Sequence, residues 1–329
     1  MIPNQWYIIA ESKDVKKRKL TGLTRMGEKM VLWRNSHGQV TCMSDICPHR
    51  GAALSVGRLL GDSIECPFHG FQYDSTGTCL LIPANGRLAS IPKAFKIRIY
   101  PTREQHGFIY IWWGEPSAQF PPVPFFESIR DDFSYSTIKD HWNIHYSRAI
   151  ENQLDVIHLP FIHKTTIGRG NRTLVNGPIH RLVPQEGNSD ILEIWVYNDV
   201  DRGQTPQKAS EIPKPDRRPF LQFRFPNIWQ NWISDGFRVF VAFVPIDSEN
   251  TILYLRNYQN TIKTPILREF VNAIGNLGNF VIERQDKRVV ITQRPKKAEL
   301  RIGEKLIQGD GPIIEYRRRR QELIEAAQQ

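Results

Sequence analysis

Two short runs constrain the fold more than anything else in the chain: Cys47-Pro48-His49-Arg50-Gly51 and Cys66-Pro67-Phe68-His69-Gly70. Each carries one thiol and one imidazole, and sixteen residues lie between His49 and Cys66. The surrounding fold must bring two such loops side by side. Pro48 and Pro67 stiffen them, while Gly51 and Gly70 allow tight backbone turns. Two thiolates and two imidazoles suit either Zn(II) or a [2Fe–2S] cluster with both histidines on one iron. Zinc fingers usually group Cys with Cys and His with His, at least two residues apart. Here each pair is mixed and the first has one intervening residue, which favours the cluster. Cys42 and Cys79 match no ligand position and read as buried structural thiols.

From Trp6 to about Gly114 the pattern is mostly β. Runs such as Lys29–Trp33 and Phe108–Trp113, broken by turn residues at 35–38, predict a small antiparallel sandwich or barrel. The Pro-rich stretch from Pro116 to Pro124 reads as a linker. At 329 residues the chain exceeds one usual core, so two domains are expected, at 1–118 and 119–329.

The second domain opens on another concentration of chemistry, Asn152 to His163, which holds Asp155, His158 and His163 within nine residues. Two histidines and a carboxylate form the facial triad of non-haem Fe(II) sites, which leaves metal positions open. The histidines are five apart, and Pro160 between them can bend the chain to bring both rings onto one metal. The bland alternative is a pair of ordinary histidines beside an apolar segment. Mixed spacing from Asp140 to Glu151 predicts a helix leading into this stretch, with His141 and His145 as helix or pocket residues. The polar stretch 201–219 reads as an exposed loop, a candidate flap over a pocket. Strands are expected over Leu221–Phe225, Gly236–Pro245 and Thr251–Tyr258, and a long helix over Pro265–Val290. Trp142, Phe161, Trp229, Trp232 and Phe240 are candidate pocket residues, though core packing explains each as well.

Apolar content of 40% and charged content of 24% are those of a globular protein. The N-terminus lacks a signal-peptide pattern, and the most apolar run, Phe237 to Ile246, contains Arg238 and is too short for a bilayer. The expectation is a cytoplasmic protein that enters no membrane. The net charge of +10 is dispersed, without a nucleic-acid motif, so no nucleic-acid partner is expected. A basic surface suits an acidic electron-carrier protein. Arg317 to Arg320 reads as a solvated helix face between Ile313, Ile314 and Leu323, Ile324. No dinucleotide fingerprint or phosphate loop is seen.

Taken together, these motifs resemble a known family. Cys47-x-His49 with Cys66-x-x-His69 resembles the Rieske motif. Asn152-x-x-Asp155-x-x-His158-x4-His163 resembles the mononuclear-iron motif of Rieske non-haem iron oxygenases, in the family's order. The resemblance implies the terminal (alpha) component. It implies an α+β fold: an all-β Rieske domain followed by a helix-grip catalytic domain, an antiparallel sheet with a long helix. Cys47 and Cys66 are then expected on one iron of a [2Fe–2S] cluster, and His49 and His69 on the other. His158, His163 and a carboxylate from the late helix are expected on Fe(II). Arg284 to Val290 resembles the family's acidic segment, which favours Asp286, with Glu283 as the alternative. Asp155 is expected to hold the His158 ring and to touch His69 of a neighbouring subunit in a homotrimer, and Asn152 to lie near the iron. Phe71 stands where the family usually has Trp. Tyr73 either bonds near a cluster cysteine or simply packs. The implied activity takes electrons from an external reductase or ferredoxin and uses O2 to hydroxylate or demethylate a small organic substrate. The compact Asn152–His158 spacing favours the monooxygenase and demethylase branch over dioxygenases. The alternative is a Rieske electron carrier with a binding domain and no oxygenase chemistry.

Overall fold

The computed structural model describes residues 1–168, 173–213 and 215–328. These fall into two units: Asn4–Gln119 with Pro245–Asp247, and Met1–Pro3 with Phe120–Val244 and Ser248–Gln329. The linker reading places the cut one residue earlier, between 118 and 119. Two exchanges have no sequence signal. Ile2 is buried in the core of the second unit. The hairpin tip Pro245–Asp247 joins the first, where Met26 N–H donates to Pro245 O at 3.0 Å and Gly27 N–H to Ile246 O at 2.7 Å.

The first unit is built from β1 (Gln5–Glu11), β2 (Thr21–Arg25), β3 (Glu28–Arg34), β4 (Val40–Ser44), β5 (Arg58–Leu60), β6 (Ser63–Glu65), β7 (Gln72–Tyr73), β8 (Cys79–Leu81), β9 (Ile99–Tyr100), β10 (Thr102–Gln105) and β11 (Phe108–Trp113). They form antiparallel sheets ordered β1-β11-β10, β2-β3-β4-β9 and β5-β6-β7-β8. β1 and most of β11 are buried, which is why both read as continuous apolar runs rather than alternating ones. The small β5–β8 sheet carries the second Cys/His loop: β6 ends at Glu65, just before Cys66, and β7 begins at Gln72. The first loop follows β4.

The second unit contains β12 (Ser134–Trp142), α1 (Tyr146–Leu154), α2 (Leu159–Ile162), β13 (Leu174–Val175), β14 (Ile179–Val183), β15 (Ile191–Trp195), β16 (Asp199–Val200), β17 (Leu221–Arg224), β18 (Ile228–Ser234), β19 (Phe237–Pro245), β20 (Thr251–Gln259), α3 (Pro265–Val290) and α4 (Gly311–Ala326). Seven strands make one antiparallel sheet in the order β12-β20-β19-β18-β17-β15-β14, while β13 and β16 pair separately. α3 packs on β12 and β20, and its range is the one the sequence predicts. Phe223, Trp229, Phe243 and Leu253 from the sheet share one core with Ile150 of α1 and Tyr316 of α4. The fold is α+β with an all-β first unit. Among the described residues no helix is long and apolar enough to cross a membrane.

Two local expectations are corrected. Asp140–Trp142 is strand, because β12 pairs with β20 from Ser134↔Gln259 to Trp142↔Thr251. The helix starts only at Tyr146, where His145 caps it by accepting the Ser147 N–H on Nδ1 at 3.2 Å. The arginine run is not a solvated face throughout. Arg317 and Arg320 are buried; Arg318 is the one that faces solvent, pairing with Glu315 and Glu322 along the helix.

Candidate metal centres and pocket

The two Cys/His loops have the same local construction. Gly51 N–H donates to Cys47 O at 2.9 Å, and Gly70 N–H donates to Cys66 O at 3.0 Å. Cys47 N–H then donates to Ala52 O at 2.9 Å and Cys66 N–H to Phe71 O at 2.8 Å. Each turn closes through a glycine at positive φ, +75° at Gly51 and +70° at Gly70, a region that side chains disfavour. The outcome is two buried sulfurs and two exposed imidazoles, with the rings of His49 and His69 4.6 Å apart between centroids. Burial raises the Cys66 thiol pKa, and the neighbouring Cys47 adds to the effect. Crowded, buried sulfurs beside paired imidazoles form a donor set that fits a [2Fe–2S] cluster. Phe71 stacks on His49 at 4.8 Å between centroids, so an aromatic side chain still supports this ring. The Tyr73 hydroxyl lies 3.5 Å from Cys47 Sγ. Cys42 and Cys79 are buried and unbridged.

In the second unit α1 delivers Asn152 and ends at Leu154. Asp155 caps the end, its N–H donating to Glu151 O at 3.0 Å. Its Oδ1 accepts from Ile157 N–H at 2.8 Å and His158 N–H at 3.2 Å, which turns the chain sharply. α2 follows at once with Pro160 in its first turn, so Pro160 starts a helix rather than bending one. His158 and His163 bracket this single turn, their ring centroids 5.2 Å apart. Asp286 on α3 meets both: its Oδ1 is 2.9 Å from His163 Nε2 and 3.4 Å from His158 Nε2. One donor atom from each of the three lies within 4.8 Å of the others. Burial opposes a charge on His163, but Asp286 outweighs it and raises the ring's pKa. Such a carboxylate and two imidazoles, gathered out of solvent, fit a divalent iron ion.

Glu283 lies one turn earlier and turns elsewhere. Its Oε1 accepts from Trp142 Nε1 at 3.0 Å. Burial, with Asp140 nearby, pushes its pKa up to about 8. Asp155 Oδ1 is 3.7 Å from His158 Nδ1, beyond a hydrogen bond, because its bonds go to backbone. Asn152 lies inside α1 rather than at a cap, buried, with no partner for Nδ2. Sequence reasoning missed Gln285, whose Oε1 is 2.8 Å from His163 Nδ1, and Thr166, whose Oγ1 donates to that same Oε1 at 3.0 Å. The only signal for Gln285 was its place beside Asp286.

His158, His163 and Asp286 line one wall of a cavity of about 710 Å³. Trp195, Leu221, Trp229, Val241, Leu253 and Ile282 give it a largely apolar lining. Trp229 and Trp232 line it as expected. Trp142 and Phe240 are instead core residues, and Phe161 is exposed. Of the stretch 201–219, Arg217, Arg218 and Pro219 line the cavity, and Lys214 lies outside the described residues.

Comparison with known proteins adds to this geometry. Residues 5–92 match the model of the Rieske [2Fe-2S] domain, and residues 142–326 that of the vanillate O-demethylase oxygenase C-terminal domain. A toluene-4-sulfonate monooxygenase system iron-sulfur subunit, TsaM1 of Comamonas testosteroni, is 30% identical over 60% of this chain and 56% of its own length. The oxygenase component of dicamba O-demethylase from Stenotrophomonas maltophilia is 32% identical over 50% of this chain and 48% of its own. The chain thus spans about half the length of these curated relatives. Among solved structures, the reduced complex between oxygenase and ferredoxin in carbazole 1,9a-dioxygenase superposes with a TM-score of 0.77. That match has 19% identity and covers 96% of this chain and 88% of the other. It is a likeness of fold.

Proposed function

This chain belongs to the Rieske oxygenases with a C-terminal domain of the vanillate O-demethylase type, and on that premise we propose that it is a terminal oxygenase component for a small, largely apolar organic substrate. Cys47 and Cys66 hold one iron of a [2Fe–2S] cluster, and His49 and His69 hold the other. His158, His163 and Asp286 hold a single Fe(II). When bound, the two groups supply one-electron storage and O2 activation respectively. The observation that carries this reading is the meeting of two imidazoles and one carboxylate at the wall of an apolar cavity.

The chain's own residues do the rest. Gln285 Oε1 accepts a hydrogen bond from His163 Nδ1–H, which keeps the proton on Nδ1 and leaves Nε2 bare for a metal. His158, His163 and Asp286 would hold the ion by three protein ligands, a number that leaves room for O2 chemistry, and all three line the cavity. Trp195 and Trp229 hold the substrate and keep water out. Asn152 lines the same cavity and has a buried amide N–H to offer there. Asp155 keeps 26% of its side chain exposed, which supports a contact with His69 of a neighbouring copy in a homotrimer. The electron donor is a separate reductase or ferredoxin. The solved oxygenase–ferredoxin complex of the same fold supports this, as do the exposed His49 and His69 and the net charge of +10. The names of the two relatives favour monooxygenation or O-demethylation over dihydroxylation. We place the protein in the cytoplasm.

The test uses anaerobically purified protein. Reduction should give a Rieske-type paramagnetic signal, and a generic reductase should support O2 uptake matched by product mass across a substrate screen. His158→Ala with His163→Ala should remove the mononuclear iron and product formation while keeping the cluster's visible spectrum. Unchanged total iron in that variant would replace the oxygenase with an electron carrier.

A further inference from the structure

α3 is amphipathic the wrong way round for a helix lying on a sheet. Its inner side is polar. Asn272 O accepts from Ser136 Oγ at 3.5 Å, Asn276 Oδ1 accepts from Asn257 Nδ2 at 3.0 Å, and Asn279 also bonds to Asn257. Its outer side carries Leu267, Phe270, Ile274, Leu277 and Val281, all exposed. Phe270, Ile274 and Leu277 are 62%, 55% and 66% exposed, so no described part of the chain covers them. The alternating spacing of three and four is that of a helix-pairing seam rather than of scattered surface residues.

The seam is also symmetric. Phe270 and Val281, Ala273 and Gly278, and Ile274 and Leu277 each lie equally far on either side of the Gly275–Asn276 peptide. An antiparallel pairing of two copies about that point sets Phe270 of one copy against Val281 of the other, and Ile274 against Leu277. The small residues Ala273 and Gly278 face each other and allow close approach. Glu269 near the start of one helix then comes within a turn of Arg284 on the other, so the charges at the seam's ends complement one another. With Ile266, the strip exposes roughly 700 Å² per copy, more than a typical monomer leaves in one patch. Two copies together approach the roughly 1,200–2,000 Å² of a specific interface. The strip has no cluster of lysines or arginines to receive an acidic partner, and its self-complementarity singles out a second copy of this chain.

We infer that α3 is a two-fold interface in which two copies pair antiparallel through Phe270, Ile274, Leu277 and Val281. The contact is isologous and independent of the head-to-tail ring proposed above. It joins rings in pairs, giving six chains, without touching the metal sites.

Light scattering on the holoprotein tests this, with cluster absorbance reporting the fold. The wild-type particle should contain an even number of chains, and the variant carrying Ile274→Glu and Leu277→Glu should have half the wild-type mass. A wild-type particle with an odd number of chains would overturn the inference, as would a variant of unchanged mass. A variant that falls below half would overturn it too, because the face would then be the ring contact. Should the charged variant lose its cluster, oxidative cross-linking decides. Ile274→Cys with Leu277→Cys should give a covalent dimer. Leu267→Cys alone, whose two copies lie at opposite ends of an antiparallel seam, should not. The reverse result would exclude antiparallel pairing.

Discussion

Gln285 Oε1 lies 2.8 Å from His163 Nδ1, while Asp286 Oδ1 lies 2.9 Å from Nε2 of the same ring. Two consecutive residues of α3 thus address both nitrogens of one imidazole. An amide oxygen can only accept, so Nδ1–H is the donor, and Thr166 Oγ1 lies 3.0 Å from the same Oε1. Gln285→Ala should release the ring and lower Fe(II) affinity by about 10- to 100-fold, the usual effect of losing such support. Gln285→Glu retains the acceptor and should bind much more tightly than the alanine variant. Competition against a chelator, with the cluster spectrum as a folding control, measures both. Equal affinities for wild type and Gln285→Ala would remove the role.

The Tyr73 hydroxyl at 3.5 Å from Cys47 Sγ makes a second measurable claim. A donor beside a cluster sulfur favours the reduced, more negative state and so raises the potential. Tyr73→Phe removes the donor and little volume. Its cluster should therefore reduce at a lower potential, by roughly 40–60 mV if one hydrogen bond of about 1 kcal/mol is lost. Redox titration of both proteins under the same buffer checks the sign first and the size second. A potential that stays put would make Tyr73 a packing residue.

How much of this was legible in the sequence follows from which signals are local. The Cys/His loops were legible because ligands, stiffening prolines and permissive glycines all fall within five residues of one another. α3 was legible to its ends because 26 residues of helical pattern average out local noise. Asp286 needed family resemblance, because a carboxylate 123 residues beyond His163 has no local pattern to mark it. The misread stretches are those where tertiary pairing decides. Asp140–Trp142 is strand because β20 is there to pair with it. Arg317 is buried because Glu151 waits for it on a helix 166 residues earlier. Phe240 carries the same aromatic signal as Trp229, but alternation along the paired strands puts Trp229 on the face that lines the cavity and Phe240 on the other, against Phe125 and Tyr258.

Glu283 gives a pH prediction with a definite sign. Its pKa rises from an ordinary 4.5 to about 8, chiefly through burial and then through Asp140. Between those values the folded protein holds a proton that the unfolded chain has lost. Stability therefore carries this group's full contribution below about pH 4.5 and loses it as pH rises through about 8, on the order of a few kcal/mol. Glu283→Gln keeps an acceptor for Trp142 Nε1 and cannot ionise. In metal-free protein, so that bound iron adds no charge, the variant should gain on wild type in urea as pH goes from 5 to 8.5. Parallel stability curves across that range would show that the carboxyl is not held neutral.

The last prediction concerns the charge network that anchors α4 to α1. Arg317 Nε donates to Glu151 Oε1 at 2.6 Å and its Nη2 to Glu304 Oε2 at 2.6 Å. Arg148 closes the square, with Nη1 donating to Glu151 Oε2 at 2.9 Å and Nη2 lying 2.7 Å from Glu304 Oε1. Arg317, Arg148 and Glu151 are all buried. A buried network of this kind adds little over a well-packed apolar substitute, but breaking it on one side leaves a desolvated charge. Arg317→Met should cost about 3–5 kcal/mol, read as a lower urea midpoint. Adding Glu151→Leu should recover part of that loss rather than deepen it, because the stranded carboxylate goes with it. Glu151 immediately precedes Asn152 on α1, the helix that delivers Asp155 and His158. Arg317→Met should therefore also weaken iron retention at the mononuclear site, although Arg317 does not line the cavity. A single variant with full stability and full iron content would show that the network is ornamental to both.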